Sequence, residues 1–479
     1  MSKKEKQGIT VKKSEYIAEW YSQVCLKSEL VDYGTVKGTM VIRPNGYSIW
    51  QAIQDYFNKN IVKKTGARNA YFPLFVPESF FKKEASHAEG FKPEVAWLDK
   101  KVTGEGERLA IRPTSETIMY DSYSKWIRSY KDLPLKINQW CNVVRWETQA
   151  TKLFLRSREF LWQEGHCVYS TEQECKKDTI NYIKLYAKMC EELLAIPVIV
   201  GEKTEKEKFP GAKATYTIEA FMPDGKALQC GTTHELGQGF AQAFNIKFID
   251  EKEKEQFPWQ NSWGVSTRLI GGLIMTHSDD TGLILPPKLA ENQVVIIPII
   301  KQNDKKVEKK AKEIKKQLSN YNPILDNREG YSPGWKYNEW ELKGIPIRIE
   351  IGPKDLEKKQ AILVSRDTKE KKSIKLTSLK KQVEEELKQM QTRLFEKAKK
   401  HLEGKIVNAK TMEEMKKQIQ ERKIVEISFC GEVECEDYIK EKTGGATSRC
   451  IPFNSKIPTT KCIQCGKPAS CTIYFSKTY

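Results

Sequence analysis

The sequence predicts an α+β protein of three units: an antiparallel-sheet domain over 1–290, a small α/β domain over 291–400, and a small cysteine-bearing α+β domain over 401–479. Three observations carry this. Strand-like segments at 136–147, 160–169 and 216–222 follow one another without a regular crossover helix, which favours antiparallel pairing. After Pro286-Pro287 the pattern changes to short apolar strands alternating with lysine-rich helices. Beyond His401 six of the twelve cysteines crowd between Cys430 and Cys471. A chain of 479 residues also exceeds what one hydrophobic core supports.

Along the first unit, Ile49, Trp50, Ile53, Phe57 and Ile61 recur at helical spacing between Tyr47 and Lys64. Gly66 then precedes an expected strand, Ala70 to Val76. Pro223-Asp224-Gly225 marks a turn after the strand ending at Met222. In the second unit, Val294 to Ile300, Pro323 to Leu325, Ile345 to Ile351 and Ala361 to Val364 read as strands, followed by a long charged helix. The lysine runs near 305 and 370 read as solvated faces.

A formal charge of +18 favours a polyanionic partner such as nucleic acid. No apolar run approaches the ~20 residues that span a bilayer, and the lysine-rich start has no apolar stretch, so a cytoplasmic protein without membrane contact is expected. In a reducing compartment, clustered cysteines act as metal ligands rather than disulfides. Cys430-x4-Cys435 and Cys462-x2-Cys465 form a four-thiolate set of the structural zinc type, though Cys450 and Cys471 leave the choice of ligands open.

No G-x-x-x-x-G-K-[ST] phosphate loop occurs, and Gly237-Gln238-Gly239 lacks a third glycine and reads as a helix boundary. What does occur is Arg145-Trp146-Glu147, a short loop, then Arg156-Ser157-Arg158-Glu159-Phe160 and Glu164. An arginine fork can bridge a phosphate and a carboxylate together, and an aromatic ring can stack on a base. This run resembles motif 2 of the class II aminoacyl-tRNA synthetases. Gly66 to Phe75, with Pro73, resembles motif 1, which implies a homodimer interface. Ser262-Trp263-Gly264-Val265-Ser266-Thr267-Arg268 and the apolar run after it resemble motif 3, with Ser262 where the family has glycine.

Within the class, Arg112-Pro113-Thr114-Ser115-Glu116-Thr117 resembles the T-x-E loop that grips the substrate ammonium, although Thr114-Ser115 also reads as a helix N-cap. Phe160 to His166 and Gln229-Cys230-Gly231-Thr232-Thr233-His234 resemble the prolyl branch, and the C-terminal cysteines resemble the zinc domain of its archaeal and eukaryotic type. Residues 292–400, including Gly344 to Lys354, resemble the class IIa anticodon-binding domain. The resemblance implies activation of L-proline by ATP and transfer to tRNA(Pro). It implies catalytic roles for Arg145, Arg156 and Arg268. Proline would be bound by Thr114, Glu116, Arg145, Trp162 and His234. ATP would be bound by Arg145, Glu147, Arg156, Ser157, Phe160, Gln229, Thr232, Ser266 and Arg268, with Mg²⁺, while Cys430, Cys435, Cys462 and Cys465 would hold structural Zn²⁺. The short interval from Glu164 to Ser262 leaves no room for the editing insertion of bacterial-type prolyl enzymes. A threonyl enzyme would need a Cys/His/His set in its catalytic domain, which the sequence lacks. A catalytically dead paralogue would be expected to lose one of the three arginines.

Overall fold

Apolar residues on one helical stripe open the chain: α1 (Ile17–Lys27) buries Trp20, Tyr21, Val24 and Cys25, and α2 (Pro44–Phe57) buries Ile49, Trp50, Ile53 and Phe57. Pro44 sits in the first turn of α2, where a missing N–H costs nothing. A computed structural model describes residues 8–85, 95–103, 106–146, 151–300 and 305–479. Past α2 the chain winds on through Asn58–Val62 and Lys63–Thr65 and stops at Gly66, whose φ of 76° is the left-handed cap glycine adopts without strain. The strand expected at Ala70 to Val76 is interrupted. Only Arg68–Asn69 (β1) and Phe75–Pro77 pair, because Pro73 has no N–H to offer and the Phe72 N–H donates to the Gln139 side chain instead.

The sheet that follows is built from β2 (Leu135–Val144), β3 (Glu159–Tyr169), β4 (Ile199–Glu202), β5 (Ala214–Phe221), β6 (Lys226–Gly237) and β7 (Trp259–Ser266). They lie in the order β4-β5-β6-β7-β3-β2, each antiparallel to its neighbour, as the missing crossover helices predict. Alternation separates two faces. Cys167 and Tyr169 join the core formed with α4 (Glu172–Glu192) and α5 (Arg268–His277), together with Trp263 and Val265 of β7. Val168, between them, joins the cluster formed with α3 (Glu116–Trp126). Phe160, Trp162, Glu164 and His166 share Val168's side of β3, opposite α4, and that side carries the cleft.

The α/β unit has β8 (Val294–Pro298), β9 (Ile324–Leu325), β10 (Ile347–Ile351), β11 (Gln360–Ser365) and β12 (Lys371–Lys375) in the order β9-β8-β10-β11-β12. Helix α6 (Lys305–Gln317) turns Val307, Ala311 and Ile314 inward, so its lysines occupy the solvated faces. Helices α7 (Pro333–Lys343) and α8 (Leu379–Glu403) complete the unit, and α8 leads into the last segment.

That segment comprises β13 (Ile406–Asn408), α9 (Met412–Gln420), β14 (Ile424–Phe429), α10 (Val433–Lys442), β15 (Thr447–Pro452) and β16 (Cys471–Thr478). It has its own core, including Met415, Val425, Phe429, Ile439 and Phe475. Its strands nevertheless continue the antiparallel sheet of the first unit. Ile451 and Pro452 of β15 pair with Glu202 and Gly201 of β4, giving one eleven-stranded sheet. Gly201 permits this approach, since a Cβ there would lie 2.4 Å from the Ile451 carbonyl oxygen. Lys477 and Thr478 of β16 run beside Lys226 and Ala227 at the start of β6.

Candidate active site

A cleft of about 590 Å³ opens over β3, β5, β6 and β7. It gathers Thr114, Glu116, Arg145, Trp162 and His234, expected for proline, with Arg156, Ser157, Phe160, Gln229, Thr232, Ser266 and Arg268, expected for ATP. Glu147 lies outside the described residues.

Arg145 follows the last residue of β2, and its Nε donates to the Pro113 carbonyl at 3.2 Å. Its guanidinium lies 5.7 Å from the Phe160 ring centre and 5.5 Å from that of Trp162, and the two rings meet edge-on. Arg268 begins α5. It donates through Nε to the Leu155 carbonyl at 3.2 Å and through Nη1 to that of Gln229 at 3.5 Å. Burial and then the neighbouring charge of Arg145 push its pKa down, Arg156 adding to the repulsion. A guanidinium stays charged in proteins, so three arginines converge where an anion would relieve their repulsion. Two expected ATP contacts are partly committed within the protein. The Ser157 hydroxyl donates to the Glu159 carbonyl at 2.8 Å, and the Ser266 hydroxyl accepts from the Arg268 N–H at 3.2 Å.

The other end is a buried acid–base network. The Thr114 hydroxyl donates to Glu116. Ser115 occupies the N-cap of α3, but its hydroxyl donates to Glu164 instead of capping, so the helix-cap reading holds for position and not for chemistry. Gln139 donates to Glu164 at 3.1 Å, and His166 Nε2 lies 3.2 Å from the same carboxylate. Burial opposes charge on both partners. Even so, His166 holds Glu164 below its ordinary range, and Glu164 with Glu116 holds His166 above its own. Tyr120 closes the network, its hydroxyl 3.1 Å from His166 Nδ1. His234 behaves oppositely: burial, then repulsion from His166, pushes it down to about 3. The neutral ring sits between Thr215 at 3.0 Å on Nδ1 and Thr232 at 3.1 Å on Nε2, with the Phe209 ring 4.7 Å away.

Several lining residues escaped the sequence reading. His166 and Ser262 were accessible in principle, since strand alternation puts them on the cleft side with Trp162 and Ser266. The buried Ser262 hydroxyl has no hydrogen-bond partner among the described residues. Phe209, on a loop, and Thr447, Arg449, Thr478 and Tyr479, far along the chain, carried no local signal. The Tyr479 hydroxyl donates to Asp224 at 2.8 Å.

Away from the cleft, the ligand atoms of Cys430, Cys435, Cys462 and Cys465 all lie within 4.8 Å of one another. The Lys467 N–H first, and then the other thiols, pull Cys465 down to about 7. Cys450 and Cys471 stand outside this group; burial pushes Cys450 up to about 12, and Cys471 points to the Phe429 carbonyl. Glu116, Glu164 and His166 form a second close group, engaged in the hydrogen bonds just described.

Comparison with known proteins agrees with this geometry. The family described as "tRNA synthetase class II core domain (G, H, P, S and T)" matches residues 99–277, "Anticodon binding domain" matches 293–386, and "Prolyl-tRNA synthetase, C-terminal" matches 412–479. A proline–tRNA ligase of Alkaliphilus oremlandii is 50% identical over 485 residues, covering 100% of both chains. The chain belongs to the prolyl-tRNA synthetase family. Proline–tRNA ligase 2 of Bacillus thuringiensis subsp. konkukian, at 49% over 484 residues, and the Clostridium novyi ligase, at 48% over 484, likewise align over 100% of both chains. The α+β architecture of the chain thus contains a class II synthetase core and an anticodon-binding domain. None of its described helices is long and apolar enough to cross a membrane.

Proposed function

We propose that this chain is a proline–tRNA ligase: it joins L-proline to ATP, giving prolyl-adenylate and pyrophosphate, and then passes the prolyl group to the 3′ end of tRNA(Pro). The observation that carries the reading is one cleft with a convergent cationic end and a buried carboxylate end. Proline fits this polarity. Its secondary ammonium would donate to Glu116 and Thr114, and its ring would sit among Trp162, His234 and Phe209. Neutral His234 adds no charge beside that ring. The proline carboxylate would reach Arg145, which would also hold the α-phosphate. This places the attacking oxygen on phosphorus as pyrophosphate departs. Phe160 would face the adenine, and Arg156 and Arg268 would neutralise the charge that develops on the phosphates. Mg²⁺ would be held near Gln229 and Thr232 and would supply further neutralisation. In the transfer step a terminal ribose hydroxyl attacks the prolyl carbonyl carbon and AMP leaves.

Domain limits of 1–290, 291–400 and 401–479 accompany the reading, the α/β unit binding the anticodon loop. We assign Zn²⁺ to Cys430, Cys435, Cys462 and Cys465, because four close thiols fill a tetrahedral shell and leave no open position for a water. A homodimer through 66–75 is supported by Tyr71 and Phe75, which present 70% and 46% of their surface to solvent. A cytoplasmic location accords with a tRNA substrate and with the lack of a membrane-spanning helix among the described residues. Residues from Glu164 to Ser262 are taken up by β3, α4, β4, β5, β6 and β7, supporting the absence of an editing domain in that interval. Incubation with labelled proline, ATP and tRNA(Pro) transcript tests the proposal. ATP-dependent formation of an alkali-labile prolyl ester is expected, and proline-independent labelling or none would overturn it.

A further inference from the structure

Arg449 lines the cleft from the C-terminal segment, on β15, with 7% of its surface exposed. Its Nε and Nη2 donate to Glu219 at 3.4 and 3.3 Å, and its Nη1 donates to the Thr447 hydroxyl at 2.7 Å. Lys203 holds the same carboxylate at 2.7 Å, and the Thr217 hydroxyl adds a bond at 3.0 Å. Burial would raise Glu219, but Arg449 and Lys203 override it and hold the group at about 2. The carboxylate therefore stays charged between two buried cations.

Glu219 stands directly opposite Gln229 across the β5–β6 hairpin, where the register slips between Gln229 and Gly231. A bulge of this kind bends one strand and re-aims its side chains. The strand so bent carries Gln229 and Thr232 into the cleft, and the Gln229 carbonyl is a partner of Arg268. The charged trio thus lies beneath the phosphate end of the site and at the seam between two units. Buried ion groups are weak sources of stability, and apolar side chains of similar volume serve stability as well or better. In some proteins such a network fixes a geometry that an apolar patch would leave free.

We propose that Arg449 is a positioning residue for adenylate formation. Supplied by the C-terminal segment, it locks Glu219 and thereby the Gln229–Gly231 bulge, so that Gln229 and Arg268 meet the ATP phosphates in one arrangement. This rests on the proline-activation reading above.

The test is proline-dependent pyrophosphate exchange on full-length protein, with ATP and proline titrated separately and melting temperature measured in parallel. Arg449→Met is expected to lower kcat/KM for ATP about 10- to 100-fold, the scale on which small misplacements of reacting groups act. The KM for proline should stay within about twofold. Arg449→Lys should recover part of the loss, restoring the charge without the fork. A Glu219→Gln/Arg449→Met double variant should be no worse than Arg449→Met alone, because both act through one contact. Thr447→Val, which removes only the Nη1 bond, should give a smaller change of the same kind. A folded Arg449→Met protein with wild-type ATP parameters overturns the proposal, as does parallel loss toward both substrates. If Arg449→Met fails to fold, wild-type ATP kinetics in Thr447→Val overturn it. Absence of proline-dependent exchange in the wild-type protein would instead refute the functional reading.

Discussion

In the α/β unit the buried guanidinium groups of Arg348 and Arg366, and the partly exposed one of Arg393, are answered by carboxylates. Arg348 meets Glu341 at 2.8 Å and Glu350 at 2.9 Å, Arg366 meets Asp279 at 2.8 Å, and Arg393 meets Asp367 at 2.8 Å and Glu386 at 2.6 Å. In the cleft Arg268 is half-buried, and among the described residues no carboxylate lies within salt-bridge distance of it, although Glu219 attracts its charge from farther off. Arg268 faces Arg145 and Arg156 and donates to two main-chain carbonyls. Matched charge holds a scaffold together, whereas on the reading proposed above the cleft arginines would take their anion from a ligand. On that reading the difference separates arginines that shape the fold from those proposed to serve chemistry, although the residue type is the same.

The largest expected effect breaks the cleft side of this comparison. Arg268→Ala, and likewise Arg145→Ala, should lower proline-dependent pyrophosphate exchange by about 100-fold or more, the scale of losing one aimed transition-state donor. The melting temperature should hold, and near-normal exchange in a folded variant would contradict the assignment. On the scaffold side, Arg393→Ala leaves Asp367, 8% exposed, without its cation and Glu386, 5% exposed, with Lys372 alone. Calorimetry should show a loss of about 1–2 kcal/mol in that unit, between the values for exposed and buried pairs, with exchange per folded molecule unchanged. A large kinetic defect with no thermal one would invert the comparison.

Much of the cleft was legible because its chemistry is local in sequence. Its residues stand out by resemblance to the class II motifs, and the structure shows why the motifs are compact: Phe160, Trp162 and Glu164 share one face of β3, Arg145 follows the end of β2, Arg156 lies in the turn before β3, and Arg268 begins α5. The long helix near Trp50 and the antiparallel sheet followed from periodicity. What stayed hidden depends on pairing between distant segments. No pattern near Arg449 or Tyr479 says that β15 will join β4 across more than two hundred residues, because strand partners are chosen by edge complementarity and not by local propensity. The interrupted strand at 70–76 failed for a local reason: apolar content suggested pairing, but Pro73 removed a ladder donor.

Smaller effects sharpen the contrast. Cys462→Ser, or exhaustive chelation, should lower the melting temperature of the C-terminal segment before any direct change in chemistry, as expected of a closed four-thiolate site. Immediate loss of exchange with unchanged stability would argue for a catalytic metal. His234 supplies a pH test. Its folded pKa of about 3 lies below the ordinary histidine value of 6.5, so the fold disfavours its protonated form. Its contribution is complete above pH 6.5 and is lost as pH falls from 6.5 towards 3. The drop in urea midpoint between pH 7.5 and pH 5 should therefore be shallower in His234→Gln than in the parent, and an equal or steeper drop would contradict a neutral buried ring. The least effect concerns fidelity. A proline pocket excludes the smaller alanine by only about 1–3 kcal/mol. Preformed alanyl-tRNA(Pro) should nonetheless lose its ester no faster with enzyme than in buffer, and clear enzyme-dependent hydrolysis would reveal an editing activity.

The account stands most directly on amino-acid selectivity at the site formed by Glu116, Trp162, His234 and Arg145. Pyrophosphate exchange measured with each of the twenty amino acids under one condition tests it. Proline should drive exchange far above the rest, with alanine a slow second. Equal or greater exchange with threonine, serine or glycine, or none with any amino acid, would contradict it.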